Sequence, residues 1–404
     1  MKATIIAVGN EILLGKTINT NLAYLGAFLF SLGIDVERSI SVKDTESAIH
    51  SALEDSVGNL IVLTGGLGPT QDDTTKESVA SYLNVDLVKH EATYEKIASY
   101  FKRSGRKMDP SNDKQAFFPQ DATIIENLRG TAPGAIIPFH DKHYVLLPGP
   151  PSELKPMVEP LKAYLKPHLD QTIYQKGYLV VGQGESEFEG TMLSLYKAHP
   201  NVNIAPYAST GEIRYIFTSK DEENLKMALN DFKKHFSPYI IGAHDDTLEA
   251  HIVKTLKDQN KTISLAESCT GGMLASRLVN VSGVSDVFKE SYVLYDNESK
   301  MKQLGINQLV LEKYGAVSEQ CVYELAYQLS QRTEADVTVS ISGIAGPQGG
   351  SEEKPVGTVY FGLTHEGKTK TAKRIFAGDR QMIREKATAY ALYLVMKGLM
   401  HYED

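Results

Sequence analysis

The chain has 404 residues, which is more than one hydrophobic core normally holds, so its length predicts two or three domains. With 42% hydrophobic and 23% charged residues, it has the composition of a globular protein, and no apolar run approaches transmembrane length. The net charge of −8 argues against binding a nucleic-acid backbone as the main function.

Cysteine usage and the first residues indicate the compartment. The two cysteines, Cys269 and Cys321, form no CxxC pair, which argues against a thiolate zinc site and fits a reducing environment. Residues 1–9 read as a short strand that enters a glycine turn, and this stretch is too short and too quickly polar for a signal peptide. We therefore expect a cytoplasmic protein without a membrane partner.

Residues 1–167 alternate between strand and helix patterns. Strands are predicted at 4–8, 35–42 and 59–63, and helices at 19–32 and 45–56, with Thr45 as an N-cap. Alternation of this kind predicts a mainly parallel sheet whose ligands bind at the carboxyl ends of the strands.

Two loops fall at those carboxyl ends, GNEILLG at 9–15 and TGGLGPTQDDTT at 64–75. Glycine backbone and hydroxyl groups can cradle a phosphate, and adjacent carboxylates can hold a hard divalent cation. The candidate phosphate-binding residues are Gly65, Gly66, Gly68 and Thr70, and the candidate metal ligands are Asp72, Asp73 and Glu11. The alternative interpretation is a Gly/Pro turn in which Asp73 caps a helix.

Together with NDKQA at 112–116, GTAPG at 130–134 and LPGPP at 147–151, these loops resemble the N-terminal domain of the CinA family of competence/damage-inducible proteins. The resemblance implies a molybdopterin-binding-like fold and a metal-dependent pyrophosphatase that acts on ADP-ribose-like dinucleotides. Its cofactor would be a divalent metal, magnesium or cobalt, with K+ as a candidate further cation. Asn10 departs from the family, where many relatives have aspartate, and this implies a weaker or differently metal-dependent activity.

Residues 168–245 show no catalytic constellation and are predicted to be a small α/β connector, ending near His244. The helix caps expected along the chain include Ser152, which follows the LPGPP turn.

The third segment, 246–404, carries four clusters: AESCTGG at 266–272, GVS at 283–285, YDNESK at 295–300 and SGIAGP at 342–347. They supply hydroxyls, a phenol and a lysine, but no histidine. That set favours a hydroxyl nucleophile with a lysine base over a Ser-His-Asp triad. A final helix is predicted at about 380–401, with a core-packing apolar face.

These clusters, with YGAVSE at 314–319 and GDRQMIRE at 378–385, resemble the C-terminal domain of the same family. As a stand-alone protein, that domain is the PncC-type nicotinamide-nucleotide amidase. The resemblance implies hydrolysis of nicotinamide mononucleotide to nicotinate mononucleotide and ammonia, without a cofactor.

Two serines compete for the role of nucleophile. Family matching places the reactive serine at Ser285, whose alternative role is to cap a helix beginning near Asp286. Ser268 is the rival, and its hydroxyl could instead hold the phosphate or the oxyanion. Lys300 is the expected base, which requires burial or positive neighbours to lower its pKa, and Tyr295 could relay a proton.

The remaining assignments concern binding and orientation. Ser342 is expected to orient the site, and Arg380 to bind phosphate or the transition state through its guanidinium, with a surface ion pair as the alternative. Glu267 stays open between an orienting residue, a structural hydrogen-bond partner and a residue that begins a helix. The predicted backbone and hydroxyl contacts to the substrate are Thr270, Gly271, Gly272, Gly343 and Gly346.

The sequence therefore predicts a multi-domain α/β protein: a three-layer molybdopterin-binding-like domain at 1–167, a connector at 168–245 and an amidase domain at 246–404. The expected function is a bifunctional enzyme of pyridine-nucleotide salvage, a homodimer whose partners are nicotinamide mononucleotide and ADP-ribose, with no nucleic acid. The competing hypothesis is a non-enzymatic adaptor of the competence or recombination machinery, with a protein partner.

Overall fold

The computed structural model describes residues 1–169, 173–182 and 185–400, and only the backbone of 185–187. The chain divides into two compact units, residues 1–173 and 174–404. No helix in the described ranges is both long and apolar enough to cross a membrane.

A six-stranded mixed sheet forms the centre of the first unit. Its strands and those of a small separate pair are β1 (Lys2–Val8), β2 (Asp35–Val42), β3 (Leu60–Thr64), β4 (Leu87–Lys89), β5 (Phe117–Pro119), β6 (Thr123–Ile125), β7 (Gly134–Phe139) and β8 (Lys142–Leu147). The order is β2-β1-β3-β8-β7-β6, and β4 pairs with β5. Strands β2, β1, β3 and β8 run parallel, while β7 and β6 are antiparallel.

Helices cover both faces of this sheet. They are α1 (Asn10–Leu13), α2 (Thr20–Ser31), α3 (Glu46–Glu54), α4 (Thr75–Leu83), α5 (Glu91–Arg103), α6 (Pro151–Leu154) and α7 (Val158–Leu165). Because side chains alternate along a strand, Ile5 packs in one core with α2 and α7, and Ile6 packs in another with α3 and α4. The result is the expected three-layer arrangement.

The second unit begins with a four-stranded antiparallel sheet. Its elements are β9 (Tyr174–Val181), α8 (Glu185–Ala198), β10 (Asn203–Ser209), β11 (Glu212–Ser219), α9 (Glu222–Phe236) and β12 (Ile240–Ala243). The βαββαβ sequence with strand order β10-β11-β9-β12 is a ferredoxin-like topology. Its helix-side core is aromatic, and the rings of Phe232 and Phe236 stack with centroids 4.1 Å apart.

A five-stranded sheet follows in the same unit. Its elements are α10 (Leu248–Asp258), β13 (Ile263–Glu267), α11 (Met273–Val279), β14 (Phe288–Val293), α12 (Asn297–Leu304), α13 (Gln308–Tyr314), α14 (Glu319–Thr333), β15 (Val337–Gly343), β16 (Thr358–His365), β17 (Lys368–Ile375) and α15 (Arg380–Leu399). The order is β14-β13-β15-β16-β17, with β14, β13 and β15 parallel and the last two strands antiparallel. Helices α10, α11 and α15 pack on one face, and α12 to α14 on the other.

The two sheets of the second unit share one hydrophobic core. Leu179, Val181 and Ile241 of the four-stranded sheet are buried in the same cluster as residues of α10 and α15. The ferredoxin-like segment therefore presents its second face to the C-terminal helices. The division of the chain at 167/168 and 245/246 remains a prediction.

Several local predictions differ from the structure. The chain after Ser285 forms a 3-10 turn at Val284–Asp286 and then a strand, so the helix expected there is wrong. The N-cap of α6 is Pro150 rather than Ser152, and the N-cap of α4 is Thr74 rather than Asp73. Thr45 does occupy the N-cap position of α3, but its side chain makes no capping bond. The predicted end of the last helix at 401 lies outside the described residues.

Candidate functional site

Four of the predicted catalytic residues gather at one edge of the five-stranded sheet. Because β13 pairs in parallel with β14 and β15, Glu267 stands beside both Val293 and Ile341, and the chain leaves all three strands at the same edge. Ser268 follows β13, Tyr295 and Lys300 follow β14, and Ser342 lies near the end of β15. With Arg380, which bonds to Tyr295, we call this set the carboxyl-end cluster.

Ser285 lies at the opposite edge. It precedes β14, whose first residue Phe288 pairs with Ile263, the first residue of β13. The four residue steps along β13 from there to Glu267 rise about 13 Å. Ser285 is exposed beside Asp286, whose bond and ion pair with Lys257 lower the pKa of that carboxyl. The predicted pairing of Ser285 with Lys300 is therefore not brought together by the fold.

Ser268 continues the β13 strand into the cluster. Its backbone N–H donates to the Ile341 carbonyl at 3.1 Å, which extends the parallel ladder by one residue. Side chains alternate along such a ladder, so Ser268 points to the same side as Ala266, which packs with Leu294 in the layer of α12 and α14. The residue is 9% exposed, and its hydroxyl bonds to no described residue. It is available for chemistry.

The neighbouring thiol is a poor alternative to this hydroxyl. Cys269 is buried, and burial raises the pKa of its thiol to about 11. The thiolate is the nucleophilic form of cysteine, and it would be scarce at neutral pH.

Glu267 settles one of the open assignments. The side chain is 1% exposed, and its carboxylate accepts backbone N–H groups from Gly272 at 3.0 Å, Leu274 at 3.1 Å and Ala275 at 2.9 Å. A carboxylate in this place satisfies the free donors of a helix N-terminus and interacts favourably with its dipole. Glu267 is thus a structural hydrogen-bond partner that fixes α11 against β13.

This arrangement uses the donors that were expected to bind substrate. The Gly271 N–H donates to the Ser268 carbonyl at 3.1 Å, and the Gly272 N–H to Glu267. Both glycines have positive φ values, 62° and 90°, so their conformation rather than a ligand accounts for them. The Thr270 hydroxyl is fully buried and has no hydrogen-bond partner among the described residues.

Arg384 is a residue that the sequence analysis missed. Its guanidinium donates to the Cys269 carbonyl at 3.1 Å and to the Thr270 carbonyl at 2.9 Å, and so holds the loop after Ser268 from the side of α15. It lies four residues after Arg380, one helical turn further on the same face. That spacing within the GDRQMIRE motif was the available signal.

Lys300 is completely buried. Its ammonium donates to the carbonyls of Leu294 at 2.8 Å, Asp296 at 3.2 Å and Tyr295 at 3.3 Å. The Leu294 N–H in turn donates to the Glu267 carbonyl at 2.7 Å, so this segment joins the lysine to the residue that precedes Ser268. Burial lowers the pKa of Lys300, as a lysine base requires.

Tyr295 and Arg380 form a polar pair at the exposed side of the cluster. The Arg380 guanidinium donates to the Tyr295 hydroxyl at 3.0 Å and to the Gly346 carbonyl at 2.7 Å. Tyr295 is 63% exposed, so this pair faces solvent and is accessible to a ligand. Arg380 forms no ion pair with Asp379, whose carboxylate caps α15 through the Met382 N–H.

Ser342 and Gly343 have structural partners. The Ser342 hydroxyl donates to the Ala316 carbonyl at 2.7 Å, as Ser340 and Thr338 donate to carbonyls of α14. A side chain at Gly343 would approach the Thr358 carbonyl of β16 to 2.9 Å. The backbone N–H of Gly346, and that of Ala345 before it, donate to no described residue, so this turn retains free donors.

In the first unit, the glycines of the 64–75 loop are required by packing. The Gly65 N–H donates to the Leu147 carbonyl at 3.0 Å, and a side chain there would reach the Val8 carbonyl. A side chain at Gly66 would collide with Thr75, and one at Gly68 with Asp73. The Thr70 hydroxyl lies within hydrogen-bond distance of both Asp72 and Asp73, and its bond to Asp72 lowers the pKa of that carboxyl.

Carboxylates nevertheless converge at the edge where three parallel strands of this unit end. Glu11 follows β1, Asp44 follows β2, and Asp72 and Asp73 follow β3. Burial raises the pKa of Asp44, and Glu11, Asp72 and Asp73 raise it further, against the bond from the Asn10 N–H. Asp44 is the member that the sequence analysis missed. As placed, no three acidic, histidine or cysteine side chains of the described residues form a metal site.

Two family models match separate parts of the chain. Residues 245–399 match the family described as the CinA C-terminal domain, and residues 4–168 match the "probable molybdopterin binding domain". A CinA-like protein of Kosmotoga olearia is 41% identical over 409 residues, covering 99% of both chains. The chain belongs to the CinA family.

Other CinA relatives extend the comparison. A CinA-like protein of Dictyoglomus turgidum is 42% identical over 413 residues and covers 99% of this chain and 100% of its own. A crystal structure of CinA from Thermoplasma acidophilum is 36% identical, with a TM-score of 0.39, and covers 41% of this chain and 99% of its own.

The carboxylate of Glu267 yields a stability prediction. We expect Glu267→Ala to lower the free energy of unfolding of the second unit by about 3 kcal/mol or more, because three backbone donors lose their acceptor in a buried site. Urea unfolding of the full chain measures this. Glu298→Ala, which removes an exposed glutamate from the first turn of α12, is the matched control. Equal stability of the two variants would contradict the structural role of Glu267.

Proposed function

We propose that the C-terminal part of this CinA chain hydrolyses the carboxamide of nicotinamide mononucleotide, with Ser268 as the nucleophile and Lys300 as the base. The observation that carries the proposal is the placement of a buried lysine, linked through Leu294 to Glu267, in the layer toward which the Ser268 hydroxyl points. The cluster includes no histidine, and the Arg380 guanidinium stays protonated, so Lys300 is the member that can accept a proton.

The reaction follows from these groups. Neutral Lys300 removes the proton from the Ser268 hydroxyl while the oxygen attacks the amide carbon, and an acyl-enzyme and ammonia form when the lysine returns that proton to the leaving nitrogen. Water, activated by the same amine, then hydrolyses the ester and restores the serine. The tetrahedral oxyanion needs donors, and the free N–H groups of Ala345 and Gly346 are the candidates.

The protonation of Lys300 is the sensitive step. Three carbonyl acceptors favour the ammonium, because they use its three donors. Complete burial favours the neutral amine, and it dominates in lowering the pKa. A neutral amine donates only two hydrogens, so one of the two longer contacts must be given up when the lone pair turns toward the serine.

The Arg380–Tyr295 pair supports a substrate that carries a phosphate. A guanidinium binds phosphate through paired hydrogen bonds, and this one stands in the solvent-facing part of the cluster. The resemblance to nicotinamide-nucleotide amidases supplies the rest of the proposed substrate, which is the nicotinamide ring and its carboxamide.

For the N-terminal domain we propose hydrolysis of an ADP-ribose-like dinucleotide at the carboxylates Glu11, Asp44, Asp72 and Asp73. Burial raises the pKa of Asp44, and repulsion from the other three carboxylates adds to it. A hard cation would neutralise this concentration of negative charge, and the oxygens present suit magnesium. A bound divalent ion would supply Lewis-acid polarisation of the pyrophosphate. Here Asp44 is half-buried and accepts the Asn10 N–H at 3.0 Å, while Asp72 is exposed and can meet the ligand.

The adaptor hypothesis makes a different prediction for both sites. A non-enzymatic adaptor would turn over neither nicotinamide mononucleotide nor ADP-ribose, so assays with both substrates on the full chain separate the two classes.

The two serines give the first test. We expect Ser268→Ala to lower kcat for the amidase by about 1000-fold or more, because the nucleophile is lost. Ser285→Ala is the matched control and should stay within about twofold, since it is an exposed residue at the other edge of the sheet. Steady-state ammonia release measures both. The opposite ranking would restore Ser285 as the nucleophile.

Lys300 gives the second test of the amidase proposal. Lys300→Arg should be as inactive as Lys300→Ala, because guanidinium stays protonated. In the unmodified chain, kcat/KM should fall as pH decreases through the Lys300 pKa, since activity needs the neutral amine, with a midpoint below the ordinary value of 10.5. Lys302→Arg, an exposed change on the same helix, should behave like the unmodified chain. An active Lys300→Arg enzyme would refute the base role.

The third concerns Asp44. We expect Asp44→Asn to lower ADP-ribose hydrolysis by about 10-fold or more, because a neutral amide removes one of the four converging charges. Asp73→Asn should nearly abolish it, and amidase turnover should be unchanged in both. Asp35→Asn, an exposed aspartate of β2, is the control. Hydrolysis that is unaffected by Asp44→Asn would make this residue merely structural.

A further inference from the structure

A cavity of the second unit lies on the α15 face of the five-stranded sheet. It has a volume of about 590 Å³ and is lined by the turn between β10 and β11, the end of β17 and the middle of α15. The side chains that carry the argument are Glu212, Arg374, Phe376, Lys386, Tyr390 and Tyr393. Its volume is in the range of sites for small organic ligands.

This cavity is separate from the carboxyl-end cluster. Arg374 pairs in register with Val359, which is buried in the core beneath α15. Cross-strand partners share a face, so Arg374 stands on the α15 side of the sheet. Lys300 lies on α12, which packs on the other side.

Uncompensated positive charge lines the cavity. Arg374 donates one N–H to the Lys373 carbonyl, and the Lys386 ammonium donates to the Ala377 carbonyl at 2.6 Å, so both retain donors. The cavity's carboxylate, Glu212, already forms an ion pair with Arg214 at 2.7 Å. Two cations therefore face a cavity whose carboxylate is paired.

The aromatic wall adds a surface for a flat ring. The Arg374 guanidinium lies 4.6 Å from the centroid of the Tyr390 ring, and the Tyr390 ring lies 5.8 Å from that of Tyr393. On the opposite wall, the turn has no side chain at Gly211, where an added Cβ would stand 2.8 Å from the Ala389 side chain. An arginine stacked on a tyrosine can bind a planar base on its free side and a phosphate through its edge.

From these features, we propose that the cavity binds a mononucleotide. Its base would stack on the Arg374–Tyr390 wall, and its phosphate would bind Arg374 and Lys386. This third ligand site lies outside both proposed catalytic sites, and it does not depend on either proposed activity. Its ligand combines a planar heterocycle with an anion, which distinguishes it from inorganic phosphate alone.

The chain contains no tryptophan, so one substitution creates a local reporter. In the full-length Tyr390→Trp variant, titration with adenosine monophosphate should quench the tryptophan fluorescence saturably, because the base stacks near the indole. Inorganic phosphate alone should quench little but should weaken the apparent affinity for the nucleotide. Tyr323→Trp, which places the reporter on exposed α14 outside the cavity, should show no saturable quenching.

The two cations are tested on the chain without a reporter. The Arg374→Gln/Lys386→Gln double variant should bind adenosine monophosphate at this site about tenfold more weakly, or weaker still. Calorimetry would measure this as the loss of one class of sites. Lys368→Gln with Lys370→Gln is the matched control, since it removes the same charge from β17 outside the cavity. Circular dichroism and urea unfolding report the folding of each variant.

Three results would overturn the proposal. The first is the absence of saturable quenching in a folded Tyr390→Trp chain together with an unchanged calorimetric stoichiometry in the Arg374/Lys386 variant. The second is equal weakening by the two pairs of substitutions, which would indicate a general charge effect. The third is equal binding of phosphate and nucleotide, which would leave a simple anion site without recognition of the base.

Discussion

The contact on which the carboxyl-end cluster depends is the one between the Glu267 carboxylate and the first turn of α11. A strand that ends in a glycine-rich loop leaves two problems, because the helix N-terminus has unpaired donors and the loop has no fixed path. The Glu267 carboxylate satisfies those donors and fixes the path of the loop, because its buried oxygens accept three N–H groups of the following segment. Arg384 holds the same loop by its carbonyls from α15. Ser268 is therefore positioned between two anchors and does not need a hydrogen bond of its own.

Burial alone does not make a lysine a base, as a second lysine in the chain shows. Lys76 is also buried, burial lowers its pKa to about 8, and its ammonium donates to the carbonyls of Lys114, Gln115 and Phe117. It lies over the Phe118 ring, 4.6 Å from the centroid, and joins α4 to the segment before β5. Lys300 differs in its position, because it is linked to a strand end beside a free serine hydroxyl. The position of Lys300, rather than its pKa shift, is therefore the basis of its proposed role.

The sequence predicted the elements of this fold better than their directions in space. Hydrophobic periodicity indicated β2 with correct bounds and α2 to within one residue at each end, and the motifs indicated each loop that contributes to the cluster. The spacing of residues in the sequence does not show at which end of the sheet a residue lies. Ser285 and Ser268 both lie beside glycines, but one precedes β14 and the other follows β13, and only the parallel pairing shows that these are opposite edges. Asp44 was missed for a similar reason, since its partners are brought to it by neighbouring strands.

The ferredoxin-like segment bears on the question of nucleic-acid binding. In nucleic-acid-binding domains with a four-stranded sheet of this kind, the two central strands present stacking residues on the open face. Here the corresponding face of β9 places Leu179 and Val181 in the core with α10 and α15. On β11, Arg214 is bonded to the His244 carbonyl and to Glu212. Two stacking positions are thus used by the protein's own helices, and nucleic-acid binding would have to use other surfaces of the chain. This arrangement is better explained as a support for α15, whose first turn carries Arg380 and whose second carries Arg384.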